Sequence, residues 1–190
     1  QALDLIPQVA EEFRQVFNRD SGGLIKPYRL EDAETIVIAL GSVLGTIKDT
    51  VDELRDAGVK IGVLGITSFR PFPISAIRDA TAHAKRIVVI EKCFAVGIGG
   101  IVSRDVRSAV RNRPQPVLTV VAGLGGRAIT KASLTKLLND AIADKLELLT
   151  FLDLDWDIVN RVLEREKKQR RSGPIAENIL RDLGPSAAGA

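Results

Sequence analysis

The chain is poor in the residues that most often carry chemistry. Its 190 residues include one cysteine, one histidine, one tryptophan, one tyrosine and no methionine. The single Cys93 excludes an internal disulfide and any cysteine-built zinc or iron–sulfur site within the chain. Cys93 and His83 together make no metal cluster. Aromatic residues amount to 4%, so the core has to be built from Ile, Val, Leu and Ala. No run approaches eighteen consecutive apolar residues, and the N-terminus lacks the charged-then-apolar pattern of a signal sequence. The expectation is a soluble, cytoplasmic protein with no membrane partner. Charge is not one-sided either: the net charge is +3, and the local basic excess lies in the tail, at Arg165, Lys167, Lys168, Arg170 and Arg171. Without interleaved aromatics or a nucleic-acid motif, that run reads as a solvated helix end, so no nucleic-acid partner is expected. With no methionine and a bulky Gln at position 1, the expectation is a chain that lacks its natural start, whether a domain of a longer protein, a proteolytic product or a trimmed piece.

What is present is a repeating α/β rhythm. An apolar strand over Thr35–Leu40 meets the small-residue turn Gly41-Ser42-Val43-Leu44-Gly45-Thr46, and an amphipathic helix follows over Gly45–Ala57 with Gly58 as its terminating glycine. A second strand covers Lys60–Ile66, and Ser68-Phe69-Arg70-Pro71-Phe72-Pro73 leads into a helix over Ile74–His83. A third strand, Arg86–Glu91, precedes Gly97-Ile98-Gly99-Gly100 and a helix over Ile101–Arg111. A fourth, Pro116–Val121, runs into Gly123-Leu124-Gly125-Gly126-Arg127. Near-continuous apolar strands alternating with helices predict a mostly parallel sheet covered on both faces. Ahead of it, Asp4–Phe17 has helical spacing and Leu24–Tyr28 reads as extended. After it, helices are expected over Lys131–Leu149 and Asp153–Glu166, one more turn or two over Ile175–Leu183, and a frayed end over Gly184–Ala190. The organisation reads as a helical lead-in over 1–30, an α/β core over 31–150 and a helical extension over 151–190.

Three glycine loops should share the carboxyl edge of the sheet, where α/β folds place ligands. Ser42, Gly45 and Thr46 in the first, Gly97 and Gly99 in the second, and Gly125, Gly126 and Arg127 in the third are candidate anion or contact residues. None completes a dinucleotide or P-loop fingerprint. The competing account is structural: the glycines allow tight turns and close packing, and Ser42 caps its helix. His83 is expected to cap or pack. Cys93, at a strand end beside Lys92, is expected to be a buried or half-buried structural residue, since no second histidine is present to build a nucleophile–base pair. Asp153, Asp155 and Asp157 fit a helix N-cap and acidic first turn, not a calcium loop. No catalytic, cofactor-binding or metal-ligating residue is assigned to this chain.

Taken in order, Glu11-Glu12-Phe13, Tyr28-Arg29, Gly41-Ser42, Phe69-Arg70-Pro71-Phe72-Pro73, Val89-Ile90-Glu91 and Gly123-Leu124-Gly125-Gly126-Arg127 resemble a known set. They are similar to the C-terminal domain of the α subunit of pyruvate:ferredoxin and related 2-oxoacid:ferredoxin oxidoreductases, over about Leu5–Leu138. The resemblance implies a three-layer α/β/α sandwich of transketolase C-terminal-domain type, whose mixed sheet includes an antiparallel edge strand. It implies a structural, assembly role in a complex that oxidatively decarboxylates a 2-oxoacid to an acyl-CoA and passes electrons to ferredoxin, or runs in reverse. Thiamine diphosphate, magnesium and iron–sulfur clusters would belong to other parts of that complex, and ferredoxin and CoA would be partners through it. Phe69, Arg70, Pro71, Phe72 and Pro73 would then shape a contact with other domains or subunits, against the reading that Phe69 and Phe72 only plug the chain's own core. Two further readings stay open. One is a stand-alone module binding a phosphorylated ligand at the glycine-loop edge; the other is the C-terminal domain of a transketolase or dehydrogenase E1 component.

Overall fold

The computed structural model describes residues 1–168. The expected turn over Ile175–Leu183, the terminal residues after it, and Arg170 and Arg171 lie outside the described residues. Two compact units are present, Gln1–Asp153 and the segment from Leu154 onward.

The first unit is built on a six-stranded sheet of order β1-β3-β2-β4-β5-β6. Its strands are β1 (Ile25–Tyr28), β2 (Thr35–Ala39), β3 (Ile61–Ile66), β4 (Arg86–Glu91), β5 (Val117–Val121) and β6 (Leu149–Phe151). β1 runs antiparallel to β3, and every other pairing is parallel. All residues of β2, β3 and β5 are buried, as the near-continuous apolar runs require of strands covered on both faces. Alternate residues serve different layers. Val37, Val63, Val88, Ile90 and Val120 pack under α2 (Val43–Asp56) and α5 (Lys131–Ile142), through Ile47, Val51, Leu134 and Leu138. Ile36, Ile38, Leu64, Ile87 and Val89 face the opposite way, onto α3 (Ile74–Ala80) and α4 (Ile101–Ala109), through Ile77, Val102 and Val106. This is the expected three-layer α/β/α sandwich, with its antiparallel edge strand.

Two elements differ from the expectation. The helix starting at Lys131 stops at Ile142, and Asp144 takes a left-handed backbone (φ 54°) that turns the chain back along the sheet. Arg86 holds that turn through a 2.8 Å ion pair with Asp144. Residues 149–151 then form β6, paired with Thr119–Val121, where a helix end was expected. Gly58 ends α2 as expected, with φ 87° and its amide donating to the Arg55 carbonyl. The N-terminal helix α1 (Ala2–Phe17) buries none of its residues; Leu5, Val9, Val16 and Phe17 are more than half exposed.

In the second unit, α6 (Trp156–Lys168) is capped by Asp155, whose carboxylate accepts the amides of Asp157 and Ile158 at 3.1 Å. That is the N-cap role expected of the acidic cluster.

Candidate functional site

Strand order determines where a crevice opens. From β2 the chain moves outward to β3, then returns across the sheet to β4 on the other side of β2. The loops that follow β2 and β4 therefore diverge, and open α/β sheets have their ligand crevice at such a switch point. A cavity of about 450 Å³ lies there. Its walls come from Leu40 to Val43 after β2, Phe69 after β3, Ile90 to Cys93 at the end of β4, Ile101 and Val102 at the start of α4, and Ile129. Gly41 makes the first turn possible, since its φ of 81° is left-handed backbone that a side chain would strain.

Polar groups at the cavity are few. Glu91 is 7% exposed, and its two carboxylate oxygens accept the Val102 and Ser103 amides, each at 2.9 Å. The N-terminus of α4 is thereby satisfied from within by the chain's own carboxylate, a charge-assisted pairing with the helix dipole. Gly100 is needed for this approach: a Cβ there would collide with the Glu91 carboxylate and the Ser103 hydroxyl. Lys92 and Cys93 follow, both exposed at the cavity wall. The expectation of a buried Cys93 is corrected here. Strand alternation would turn it inward only if β4 continued, but the strand ends at Glu91.

The loop over residues 68–73 is held from several sides. The Phe69 and Phe72 rings meet edge to face at 6.4 Å, and both pack against the layer beneath α3 and α4. The Arg70 guanidinium lies 4.0 Å from the Phe69 ring centre and 2.8 Å from the Asp105 carboxylate on α4. Distance makes this an ion pair, although the same Asp105 oxygen has no aligned hydrogen bond. The Arg70–Pro71 peptide is cis; Pro71 is exposed and Pro73 is buried at the head of α3. Of the five, only Phe69 reaches the cavity wall. Phe69 and Phe72 thus do pack on the chain's own core, and Phe69 presents its remaining surface to the crevice.

The glycine loops separate into two places. Ser42, Thr46, Gly126 and Arg127 line one hollow of about 230 Å³ beside Lys92, while Gly97 and Gly99 line another of about 330 Å³ with Arg107. Gly45 and Gly125 line neither. Ser42 stands at the N-cap of α2, yet its side chain makes no capping bond, contrary to expectation. Arg127 donates to the Asp153 carbonyl at 2.5 Å. His83 lies away from the crevice, with Nε2 2.7 Å from the Leu30 carbonyl oxygen. Among the described residues, no three His, Cys, Asp or Glu side chains are grouped to hold a metal. Sequence reasoning did not select Leu40, Lys92, Ile101 and Ile129 as site residues. Their common signal is position, on the connections that follow β2, β4 and β5 at the carboxyl edge, and it becomes readable only once strand order is known.

Residues 33–134 match the family described as pyruvate:ferredoxin oxidoreductase core domain II. The pyruvate synthase subunit PorA of Methanosarcina barkeri is 42% identical over 142 residues, covering 73% of this chain and 35% of that one. PorA of Thermotoga maritima is 39% identical over 144 residues, 75% of this chain and 36% of that one. The ketoisovalerate oxidoreductase subunit VorA of Pyrococcus horikoshii is 34% identical over 132 residues, 68% of this chain and 34% of that one. The chain thus spans about a third of the length of these curated relatives. Among solved structures, the 2-oxoglutarate:ferredoxin oxidoreductase from Magnetococcus marinus superimposes with a TM-score of 0.52 at 20% identity, over 70% of this chain and 21% of that one. A split-gene transketolase superimposes with a TM-score of 0.50 at 18% identity, over 64% of this chain and 42% of that one. Both share its fold.

Proposed function

The chain belongs to the pyruvate:ferredoxin oxidoreductase core domain II family, and we propose that it acts as an assembly domain of a thiamine-diphosphate-dependent 2-oxoacid:ferredoxin oxidoreductase, with pyruvate the favoured 2-oxoacid. The complex would convert the 2-oxoacid and CoA to acyl-CoA and CO2, passing the two electrons to ferredoxin, or run in reverse. The observation that carries a non-catalytic role is the chemistry of the crevice. Its one carboxylate, Glu91, is already engaged by two helix amides. The cofactors fit the same reading. Magnesium diphosphate is held by several oxygen ligands that include carboxylates, and among the described residues the cavity wall offers no carboxylate beyond Glu91. An iron–sulfur cluster needs several thiolates, and the chain has Cys93 alone. The residues present do not fit either group. Phe69, Arg70, Pro71, Phe72 and Pro73, with the glycine loops, would instead form a contact with other domains or subunits.

The hollow lined by Ser42, Thr46, Lys92 and Arg127 favours a second reading, a module that binds a phosphorylated ligand on its own. One preparation separates the two: the native protein, isolated anaerobically with whatever accompanies it. The assembly reading expects Gln1 to be preceded by further sequence in the same polypeptide, with thiamine diphosphate, iron–sulfur subunits and CoA-dependent ferredoxin reduction by a 2-oxoacid. A protein that runs alone from near Gln1, and binds a phosphorylated ligand saturably, would overturn it.

A further inference from the structure

We infer that the crevice above β2 and β4 seats an acidic segment of another polypeptide of the assembly, with an apolar side chain in the cavity and carboxylates over Lys92 and Arg127. The inference rests on the assembly reading and specifies its partner. Three observations converge on it. First, the cavity wall is apolar, formed by Leu40, Val43, Phe69, Ile90, Ile101 and Ile129. The connections after β4 and β5 add exposed apolar side chains at the same edge: Phe94 and Ile98 at the neighbouring hollow, Leu124, and Val96, which is 90% exposed. An apolar pocket on an edge with further exposed apolar side chains suits a protein surface better than a small solute.

Second, charge is distributed unevenly between the two edges of the sheet. The loops that follow β2, β3, β4 and β5 carry Arg70, Lys92 and Arg127 and no Asp or Glu, while the turn after β6 brings the single Asp153 to the same edge. The opposite edge neutralises itself, through Arg55 with Asp32, Lys85 with Glu34 and Arg86 with Asp144. At the crevice Arg70 has Asp105, but Lys92 has no ion pair among the described residues and Arg127 bonds a backbone carbonyl. Lys92 and Arg127 thus have no ion pair among the described residues beside an apolar cavity, with Asp153 the one acid near them, and the complementary partner is acidic.

Third, the buried Glu91 carboxylate determines how the partner sits. It occupies the α4 amides that an anion would use and repels a second negative charge at the cavity floor. A free phosphate at the α4 N-terminus finds the Val102 and Ser103 amides already taken. A segment with its apolar tip inward and its carboxylates at the rim satisfies both halves.

The test uses the full-length protein that contains this chain, alone and assembled with its subunits. Cys93 is exposed at the cavity wall, so its alkylation by N-ethylmaleimide, read by peptide mass spectrometry, reports coverage. Assembly should slow that alkylation by about tenfold or more. The double variant K92E/R127E should associate about tenfold more weakly, with K92R/R127K retaining assembly and K85E, at the opposite edge, unchanged. Equal alkylation in the free and assembled protein, with normal assembly of K92E/R127E, overturns the inference. So does equal protection of Cys93 by inorganic phosphate or by RNA in place of the subunits. An intact, active complex with open Cys93 would remove this inference and leave the assembly reading standing. Should K92E/R127E fail to fold, the wild-type alkylation still decides.

Discussion

At the scale of single residues, Glu91 and Arg70 do different work. Glu91 is buried and binds two amides, so removing its charge leaves the start of α4 without its charge-assisted acceptor. Glu91→Gln should lower stability by about 1–3 kcal/mol in urea denaturation, and an unchanged midpoint would sink the account of the helix start. Arg70 is about half exposed, so water screens its pairings with Asp105 and the Phe69 ring even though the Asp105 oxygen it faces is buried. Arg70→Ala should therefore lower the domain's stability by no more than about 1 kcal/mol. Its larger effect should be on subunit affinity, measured by titrating the assembled complex; equal small effects on both would make the arginine a local brace only. The residue types at this edge could be read from sequence, but their states could not. Cys93 is exposed because β4 stops two residues earlier, and Ser42 leaves its helix uncapped by side chain.

Among elements, the sheet interior was the most legible part. Thr35–Ala39, Ile61–Ile66 and Val117–Val121 are near-continuous apolar runs rich in Ile and Val, and such runs have few alternatives. β6 was not legible. Leu149–Phe151 is three half-buried residues whose leucine also fits the helical spacing before it, and pairing with β5 decides the matter. Two glycines separate packing from conformation. A Cβ on Gly62 would strike the Arg29 carbonyl oxygen where the chain leaves β1, so Gly62→Ala should cost about 1–3 kcal/mol. Gly45 lies inside α2 with open space around it, so Gly45→Ala should stabilise by about 0.5–1 kcal/mol. Thermal unfolding of the two variants should shift in opposite directions, and shifts of the same sign would contradict the placement of β1 or α2.

For the whole molecule, the two edges of the sheet differ in chemistry, and acid should reveal one of them. At the amino edge, a hydrogen bond from Arg55 pulls the Asp32 carboxyl below its usual range, and one from Lys85 does the same for Glu34. A lowered folded-state pKa means stability that is full above the unfolded value and lost as pH falls through the folded one. Stability should therefore decline on acidification through the carboxylate range, and Asp32→Asn with Glu34→Gln should flatten that decline; an identical profile would show these exposed pairs to be screened out. Composition and periodicity by themselves determined the α/β class, the two covered faces of the sheet and the order of the loops, because apolar runs and helical spacing are local properties of the chain. The ordered motifs from Glu11 to Arg127 also carried the family. Only the tertiary structure decided that Leu40, Phe69, Glu91 and Ile129 share one cavity, that Glu91 closes the α4 amides, and that Lys92 and Arg127 stand beside it. Those facts depend on the crossing from β3 back to β4, a long-range strand order that local spacing does not encode.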